Sequence, residues 1–485
     1  MLKIIKKVLI ADRGLPAVRI MYACRDRRIP TVAVYSDQDP LAHHVHMADK
    51  AVSIGEALPE AGYMGHEKLI EAALKSGADA LHPGWGLLSK DSDFAKKVLD
   101  AGLVWIGPRL EAIRIAGDHT EASRLADKVN IPVLHSLMRP QDLGQIQQWM
   151  EAEKINFPVQ VRAAASGGSD EAIRVESEAE LASAMDKMRE EAIKSFWDEG
   201  ILVERCIDQA RRIEVQIVAD CHGHCVHLYE RESTLRHGAQ KIIEEALSPS
   251  LDQNLRQEIC AAAVHLACEI GYDSAGTIEF LFDPAAKQYY FFKIHPGLQG
   301  GHGLTELTTS VDIVGLMLDA AQGGELPFKQ QDVHPSRRAL LSRLYAQDPQ
   351  TFALSSGKIT RLLMPMGPNV RVTAGVSEGS DVGLDEESLL MLIMTSGVDR
   401  LEAIRVMDRA LGRDLRVEGV QTLAPLLLGM VRHPAFIQGD YSSRFIDEHM
   451  EELLSTSMER TNEDEVLKIA QYVAEASVLG PAKWV

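Results

Sequence analysis

Between residues 7 and 130, short apolar runs rich in β-branched side chains alternate with stretches in which apolar residues recur every three or four positions. In order they are KVLIA, AVRIMYACRDRR, TVAVYS, HEKLIEAALKSG, ADALHPG, DFAKKVLDAG and VWIGP. Strand and helix alternating in this way predict a doubly wound parallel sheet, because parallel strands need a covering crossover between them. Gly14, Gly84 and Gly107 follow the strands and place loops at their carboxyl ends, where open sheets of this type bind ligands. A Rossmann-like lobe over residues 1–118 is the expectation.

The pattern then changes. Residues 119–330 form the second expected unit, and within it about 131–204 reads as a smaller lid. There FPVQVRAAASGGSDEAIRV predicts two strands joined by a Gly-Ser loop, and ELASAMDKMREEAIKSF predicts a helix. From 205 to about 313 the runs RIEVQIVAD, HCVHLYERE, GTIEFLFD and QYYFFKI are separated by Gly, Asp or Pro turns, which predicts an antiparallel sheet. A third unit, 331–448, opens on the strands RALLSRLYA, GKITRLLMP and NVRVTAGV and continues in the helix LEAIRVMDRALGR. Residues 449–485 read as a helical tail carrying DEVLKIAQYVAEASVL. The fold class is therefore α/β followed by α+β, and 485 residues suit about three such units.

Composition narrows the function classes. Apolar residues at 46% and charged residues at 25% are ordinary for a globular chain, which sets aside disordered and collagen-like architectures. A net charge of -19, with no run of five or more Lys and Arg, argues against a nucleic-acid or anionic-membrane surface. No stretch reaches 18 uninterrupted apolar residues, and the apolar run near the start is too short for a secretory leader. Six scattered cysteines lack the density of a disulfide scaffold, so a reduced, cytoplasmic setting is expected. The run Cys221-His222-Gly223-His224-Cys225 offers four metal-type side chains, but adjacent residues wrap one tetrahedral ion poorly and a hairpin turn is the expected reading. His43, His44 and His46 are expected to serve packing and surface.

Longer blocks carry a resemblance. KVLIADRGLPAVRIMYACRDRRIPTVAVYSDQD and ADALHPGWGLLSKDSDFA resemble the amino-terminal lobe of biotin carboxylases. WIGPRLEAIRIAGD, RRIEVQIVAD, QKIIEEA, GTIEFLF, LTELTTSVDIV, SRLYAQDP, GKITRL and RVEGVQTLAPLLLGMVRHPAF follow in the family's order, so the likeness covers roughly residues 6 to 448. It implies an ATP-grasp fold with an amino-terminal Rossmann-like lobe and a biotin-carboxylase-type carboxyl-terminal domain. The activity it implies is the formation of carboxyphosphate from ATP and bicarbonate and carboxylation of biotin on a carrier protein.

Phosphoryl transfer needs cations around the phosphates and carboxylates to hold Mg²⁺. Glu279 stands at a position that resembles a metal carboxylate of the family, whereas Lys293 stands where the second should be and His295 where an Asn should be. An ammonium there repels the ion that Glu279 attracts, so Mg²⁺ affinity is expected to fall. In the same stretch, FFKIHPGLQGGH, Gly297 replaces an Arg of the bicarbonate site and Gly301 the Glu that acts as general base, with Gly300 beside them, which predicts a flexible backbone segment. Gln299 and His302 match the family. His119 and Arg162 stand where the nucleotide site has Lys, and Asp170 and Glu171 lie in the shortened Gly-rich loop. Glu204 resembles the hinge that hydrogen-bonds adenine; Lys241 and Arg343 match active-site positions; Gly238 and Ala239 replace Arg and His; Trp85 replaces a Tyr expected to pack in the cleft.

The resemblance thus implies a biotin carboxylase relative with a dismantled site, serving as a non-catalytic or regulatory subunit of an acyl-CoA carboxylase complex. The expected partners are a biotin carboxylase paralogue or a second copy of the chain as a dimer, with biotin carrier protein and carboxyltransferase subunits. ATP or ADP is the expected ligand, and biotin only through a separate carrier. An active biotin carboxylase, an ATP-grasp ligase for another acid, and a nucleotide sensor stand as alternatives.

Overall fold

Five parallel strands open the chain: β1 (Val8–Ile10), β2 (Thr31–Ser36), β3 (Lys50–Gly55), β4 (Ala80–His82) and β5 (Val104–Trp105), in the order β3-β2-β1-β4-β5. The reversal of order beside β1 places the loops after β1 and β4 at a topological switch point, as the alternating pattern predicts. Those loops are tied together by Asp12, whose carboxylate accepts from the backbone N–H groups of Trp85 and Gly86. Gly84 is required there: its φ is +73° and a Cβ would lie 1.8 Å from Asp12 Oδ2. The computed structural model describes residues 3–56, 62–164, 172–196, 199–383 and 388–455.

A smaller sheet follows, β6 (Ser136–Met138), β7 (Val159–Ala163), β8 (Ile173–Val175) and β9 (Ile201–Arg205), in the order β6-β9-β7-β8. Helices Leu143–Glu153 and Glu178–Phe196 cover it, and Ile146, Val159, Val161, Leu181, Met185 and Val203 form a core of its own. The expected strand pair and helix of the lid are both present; the loop with Asp170 and Glu171 lies outside the described residues.

The largest sheet has eight strands. It contains β10 (Arg211–Ala219), β11 (Cys225–His237), β12 (Gln240–Ala246), β13 (Ala275–Asp283), β14 (Gln288–Pro296) and β15 (Arg338–Tyr345), followed by strands Leu389–Gly397 and Val370–Ala374. Their spatial order is β14-β13-β10-β11-β12-β15 and then those two, so antiparallel pairing of β12 with β15 carries the sheet unbroken from the central region into the carboxyl-terminal one. The largely apolar, buried strand Leu389–Gly397 is absent from the sequence expectation, because nothing local distinguishes a buried strand from a buried helix. Helix Arg400–Arg409 forms as expected, while DEVLKIAQYVAEASVL lies outside the described residues. No helix among the described residues is long and apolar enough to cross a membrane.

The segment 297–301 corrects one expectation. Gly297, Gly300 and Gly301 are buried, not an open flexible stretch, and the chain passes from them directly into helix His302–Thr309. Gly297 holds φ at +75°, and Cβ atoms at Gly300 and Gly301 would lie 2.9 Å from Arg343 Nη1 and 2.7 Å from Glu244 Oε1. Arg343, Glu244 and Arg231 thus lie close against the backbone of Gly300 and Gly301.

Candidate functional site

Antiparallel register brings four charged residues into one row across the large sheet. Lys293 of β14 stands opposite Glu279 of β13, Glu279 opposite Glu214 of β10, and Glu214 opposite Arg231 of β11. The cause is local patterning: on β10, Arg212, Glu214 and Gln216 alternate with Ile213, Val215 and Ile217, so one face carries the polar groups and the other packs into the core. A bulge in β14 leaves Phe292 as the extra residue between Lys293 and Phe291. Its ring is flanked by cations, with Arg162 Cζ at 4.6 Å, Arg212 Cζ at 4.7 Å and Lys293 Nζ at 5.2 Å from the centroid.

Glu279 is fully buried and both of its oxygens are engaged. Oε1 accepts from Arg212 Nη1 at 3.0 Å and Arg236 Nη2 at 3.4 Å; Oε2 accepts from His295 Nε2 at 2.7 Å and lies 3.8 Å from Lys293 Nζ. Burial would raise this carboxyl group, but Lys293, Arg236, His295 and Arg212 together hold it well below the usual carboxylate range. Burial lowers His295 to about 4, so its imidazole is neutral at pH 7 and its Nε2–H donates to Glu279. Glu214 is likewise enclosed, taking Lys241 Nζ at 2.5 Å and Ser233 Oγ at 2.7 Å.

Glu214, Glu279 and His295 offer three ligand-type atoms within 4.8 Å of one another, a spacing that a cation could bridge. The donor set does not suit Mg²⁺, which requires nearly octahedral oxygen ligation. Its carboxylates already hold cations, and its imidazole presents an N–H. Lys293 Nζ, 3.8 Å from Glu279 Oε2, adds a unit positive charge that repels a divalent ion approaching that carboxylate. The Mg²⁺ expected of the family therefore does not fit these residues.

Lys241 and Arg343 do converge. Arg343 donates through Nε to Glu244 Oε2 at 2.8 Å and pairs with the same oxygen through Nη2, while Lys241 reaches Glu244 Oε1 at 3.1 Å and Gln299 Oε1 at 3.4 Å. With Trp85, Lys90, Gln240, His295 and Tyr345 they line a cavity of about 540 Å³, to whose wall Ala239 and Gly300 also belong. His302 packs beside Trp85, with ring centroids 5.7 Å apart, and donates from Nδ1 to the Gln299 carbonyl at 2.7 Å. Gly297 and Gly301 contribute backbone only, and the space beside Gly301 is filled by Glu244 and Arg231.

In the lid, Arg162 and Glu204, the residues expected on the nucleotide side, are joined in a buried ion pair at 3.0 Å. The Glu204 carboxylate is thus committed to the neighbouring strand. His119 opens helix His119–Lys128, feels the charges of Glu204, Arg162 and Lys293, and is lowered by burial, so it supplies no fixed charge near pH 7. The cluster at 221–225 is the turn between β10 and β11: Asp220 accepts from the backbone of His222 and His224, and the Cys225 thiol is hydrogen-bonded with Cys268. His44 is buried and bonded to the Val34 carbonyl, a packing role. Sequence reasoning missed Arg212, Arg236, Glu214, Glu244, Arg231 and Phe292; the period-two polar face of β10 was the available signal for Arg212 and Glu214.

Comparison with known proteins assigns the family of the chain. The model of the biotin carboxylase N-terminal domain matches residues 4–113, that of the carbamoyl-phosphate synthase L chain ATP-binding domain 118–329, and that of the biotin carboxylase C-terminal domain 342–448. Biotin carboxylase 2 of Bacillus subtilis (strain 168) is 39% identical over 445 residues, taking in 92% of this chain and 99% of that protein. The mitochondrial propionyl-CoA carboxylase alpha chain of Mus musculus is 36% identical over 484 residues, covering 98% of this chain and 66% of that one. Among solved structures, the biotin carboxylase domain dimer of Hydrogenobacter thermophilus 2-oxoglutarate carboxylase, in complex with MgADP, ADP and bicarbonate, superposes with a TM-score of 0.89 at 32% identity, over 93% of this chain and 99% of that one. Three consecutive domain matches, identity over nearly the full length and the shared ATP-grasp architecture converge on one assignment: the chain belongs to the biotin carboxylase family.

Proposed function

We propose that this chain is a catalytically silent biotin carboxylase homologue that keeps a nucleotide cleft and serves as a non-catalytic or regulatory subunit of a biotin-dependent acyl-CoA carboxylase complex. The observation that carries the reading is the capture of Glu279 by Arg212, Arg236, His295 and Lys293. A carboxylate so engaged does not present free oxygens to a metal, and Gly297 and Gly301 supply neither a guanidinium nor a base where bicarbonate chemistry needs them. Nucleotide binding without turnover is supported by the match of residues 118–329 to an ATP-binding domain and by the MgADP and ADP seen in the Hydrogenobacter structure. Pairing with an intact paralogue or with a second copy is supported by the dimer that relative forms, and biotin would arrive on a separate carrier. The test is incubation of the purified protein with MgATP, bicarbonate and free biotin. ADP release and carboxybiotin are expected at background level, and carboxybiotin formation would overturn the proposal.

The cavity of about 540 Å³, lined by Lys241, Arg343 and Trp85, favours a second reading, an ATP-grasp ligase for an acid larger than bicarbonate. ATP hydrolysis stimulated by an added organic acid distinguishes it from the silent subunit.

A further inference from the structure

We infer that Cys268 and Cys225 form an oxidation-sensitive thiol pair, in which Cys268 reacts with a hydroperoxide and Cys225 resolves the product to a disulfide that staples helix Gln253–Ile270 to strand β11. The pair is separate from the charged row of the cleft, because this helix packs on the apolar face of the sheet, with Ile213, Val215, Ile217 and Ile278, and Glu214 and Glu279 lie on the other.

Strand register and helix packing bring the two thiols together. Cys225 opens β11 as the ladder partner of Ala219 on β10, and directly opposed residues share a face of the sheet. Ala219 belongs to the core that Ala263, Leu266 and Ala267 of the helix help to build, and Cys225 packs against that core. The chain leaving the helix is fastened at the same point, where the Ala219 N–H donates to the Ser274 carbonyl at 3.0 Å. The last turn of the helix, which carries Cys268, thus lies beside the start of β11, and the two thiols are hydrogen-bonded. Cys268 is exposed and Cys225 half-buried, so an oxidant in solvent meets Cys268 first. The hydrogen bond from Cys225 holds the Cys268 thiol below its ordinary value, while the same bond and burial push Cys225 up, which makes Cys268 the nucleophile. Its thiolate attacks one peroxide oxygen, the O–O bond breaks, and the departing hydroxide takes a proton to leave as water, with Cys268 a sulfenic acid. Cys225 then attacks that sulfur: the S–O bond breaks, the S–S bond forms, and the Cys225 proton leaves with the hydroxide as a second water. The peroxide is the oxidant, and the two thiols supply both electrons.

The experiment treats the reduced full chain with a few equivalents of hydrogen peroxide, counts thiols after denaturation and locates any bridge by peptide mass mapping. Two of the six cysteines are expected to be lost as thiols, a peptide pair joined through Cys225 and Cys268 to appear, and dithiothreitol to reverse both changes. The bridge closes a loop of roughly forty residues, so the oxidised protein is expected to unfold a few degrees higher, a rise absent from Cys268→Ser. Cys225→Ser is expected to leave a sulfenic acid on Cys268 that dimedone labels. Retention of all six thiols, or a bridge that uses the exposed Cys221 in place of either partner, overturns the inference. So does dimedone labelling of Cys221 without Cys268, and an unchanged midpoint in the bridged protein overturns the stapling. Mapping of the unmodified chain decides the matter even where Cys225→Ser fails to fold.

Discussion

Lys293 faces Glu279 across the β13–β14 ladder with Nζ 3.8 Å from Oε2, so the position that resembles a second metal carboxylate presents a counter-ion to the first. The pair belongs to a buried network in which each carboxylate is shared by at least two donors. Such a network is costly to disturb, because removing one partner leaves charge buried without compensation.

Neutralising Glu279 tests that cost. Glu279→Gln keeps the shape of the side chain but leaves Arg212, Arg236 and Lys293 gathered around an uncharged amide. A loss of about 3–5 kcal/mol is expected, read as a lower urea midpoint. The double variant Glu279→Gln, Lys293→Met should recover part of it, since one of the cations around the amide is then gone.

Acid should destabilise the protein well above the carboxylate range. Burial lowers His82 and His302 to about 3 and His295 to about 4, so in the folded state all three are neutral where the unfolded chain takes up protons. Because the unfolded state binds more protons, stability is full above about pH 6.5 and falls as pH drops towards 4, by up to about 1.4 kcal/mol per pH unit for each histidine. Glu279 has the opposite kind of group but the same sign of effect, its depressed carboxyl adding a loss only below the ordinary Glu range. Unfolding midpoints compared at pH 7.5 and pH 5 check this; equal midpoints would show that the histidines are not buried in the neutral form.

Substitutions at the glycines should separate strain from crowding. Gly297→Ala meets no atom closer than 3.9 Å and pays only for its φ of +75°, about 1–2 kcal/mol. Gly301→Ala places a Cβ 2.7 Å from Glu244 Oε1 and 3.0 Å from Arg231 Nε, an overpacking expected to cost about 1–3 kcal/mol. Restoring an acid at 301 alone should therefore lower the thermal midpoint without restoring carboxylation.

Arg343→Lys should also be damaging although it conserves charge. Arg343 reaches Glu244 Oε2 through both Nε and Nη2, and an ammonium cannot reproduce that fork. A loss of about 1–3 kcal/mol, measured by denaturation, is expected, from the hydrogen bonding a buried carboxylate forfeits.

Much of the fold was legible along the chain. Alternation of β-branched runs with helical periodicity is a local property, and β1, β2, β4 and β5 and the strand pair and helix expected of the lid formed where it placed them, whereas β3 was not among the expected runs. The identities of Lys293, His295, Gly297 and Gly301 were legible too, because identity at a position needs no contact to be read. Local reading missed strand Leu389–Gly397, whose near-continuous burial erases the period, and one expectation fell short, the segment 297–301, which is packed where its composition suggested slack.

What residue order could not supply was the company each charge keeps. Arg212 and Arg236 lie more than forty residues from Glu279 in sequence, and nothing local marks either as its partner. Strand register decides it, by setting β14, β13, β10 and β11 side by side and bringing Lys293, Glu279, Glu214 and Arg231 into one row. Coulomb energy depends on separation through space and on burial, and both are products of the folded sheet; the identity of a replaced residue is written in the chain, whereas whether the remaining carboxylate is open or already held is a property of the assembled fold.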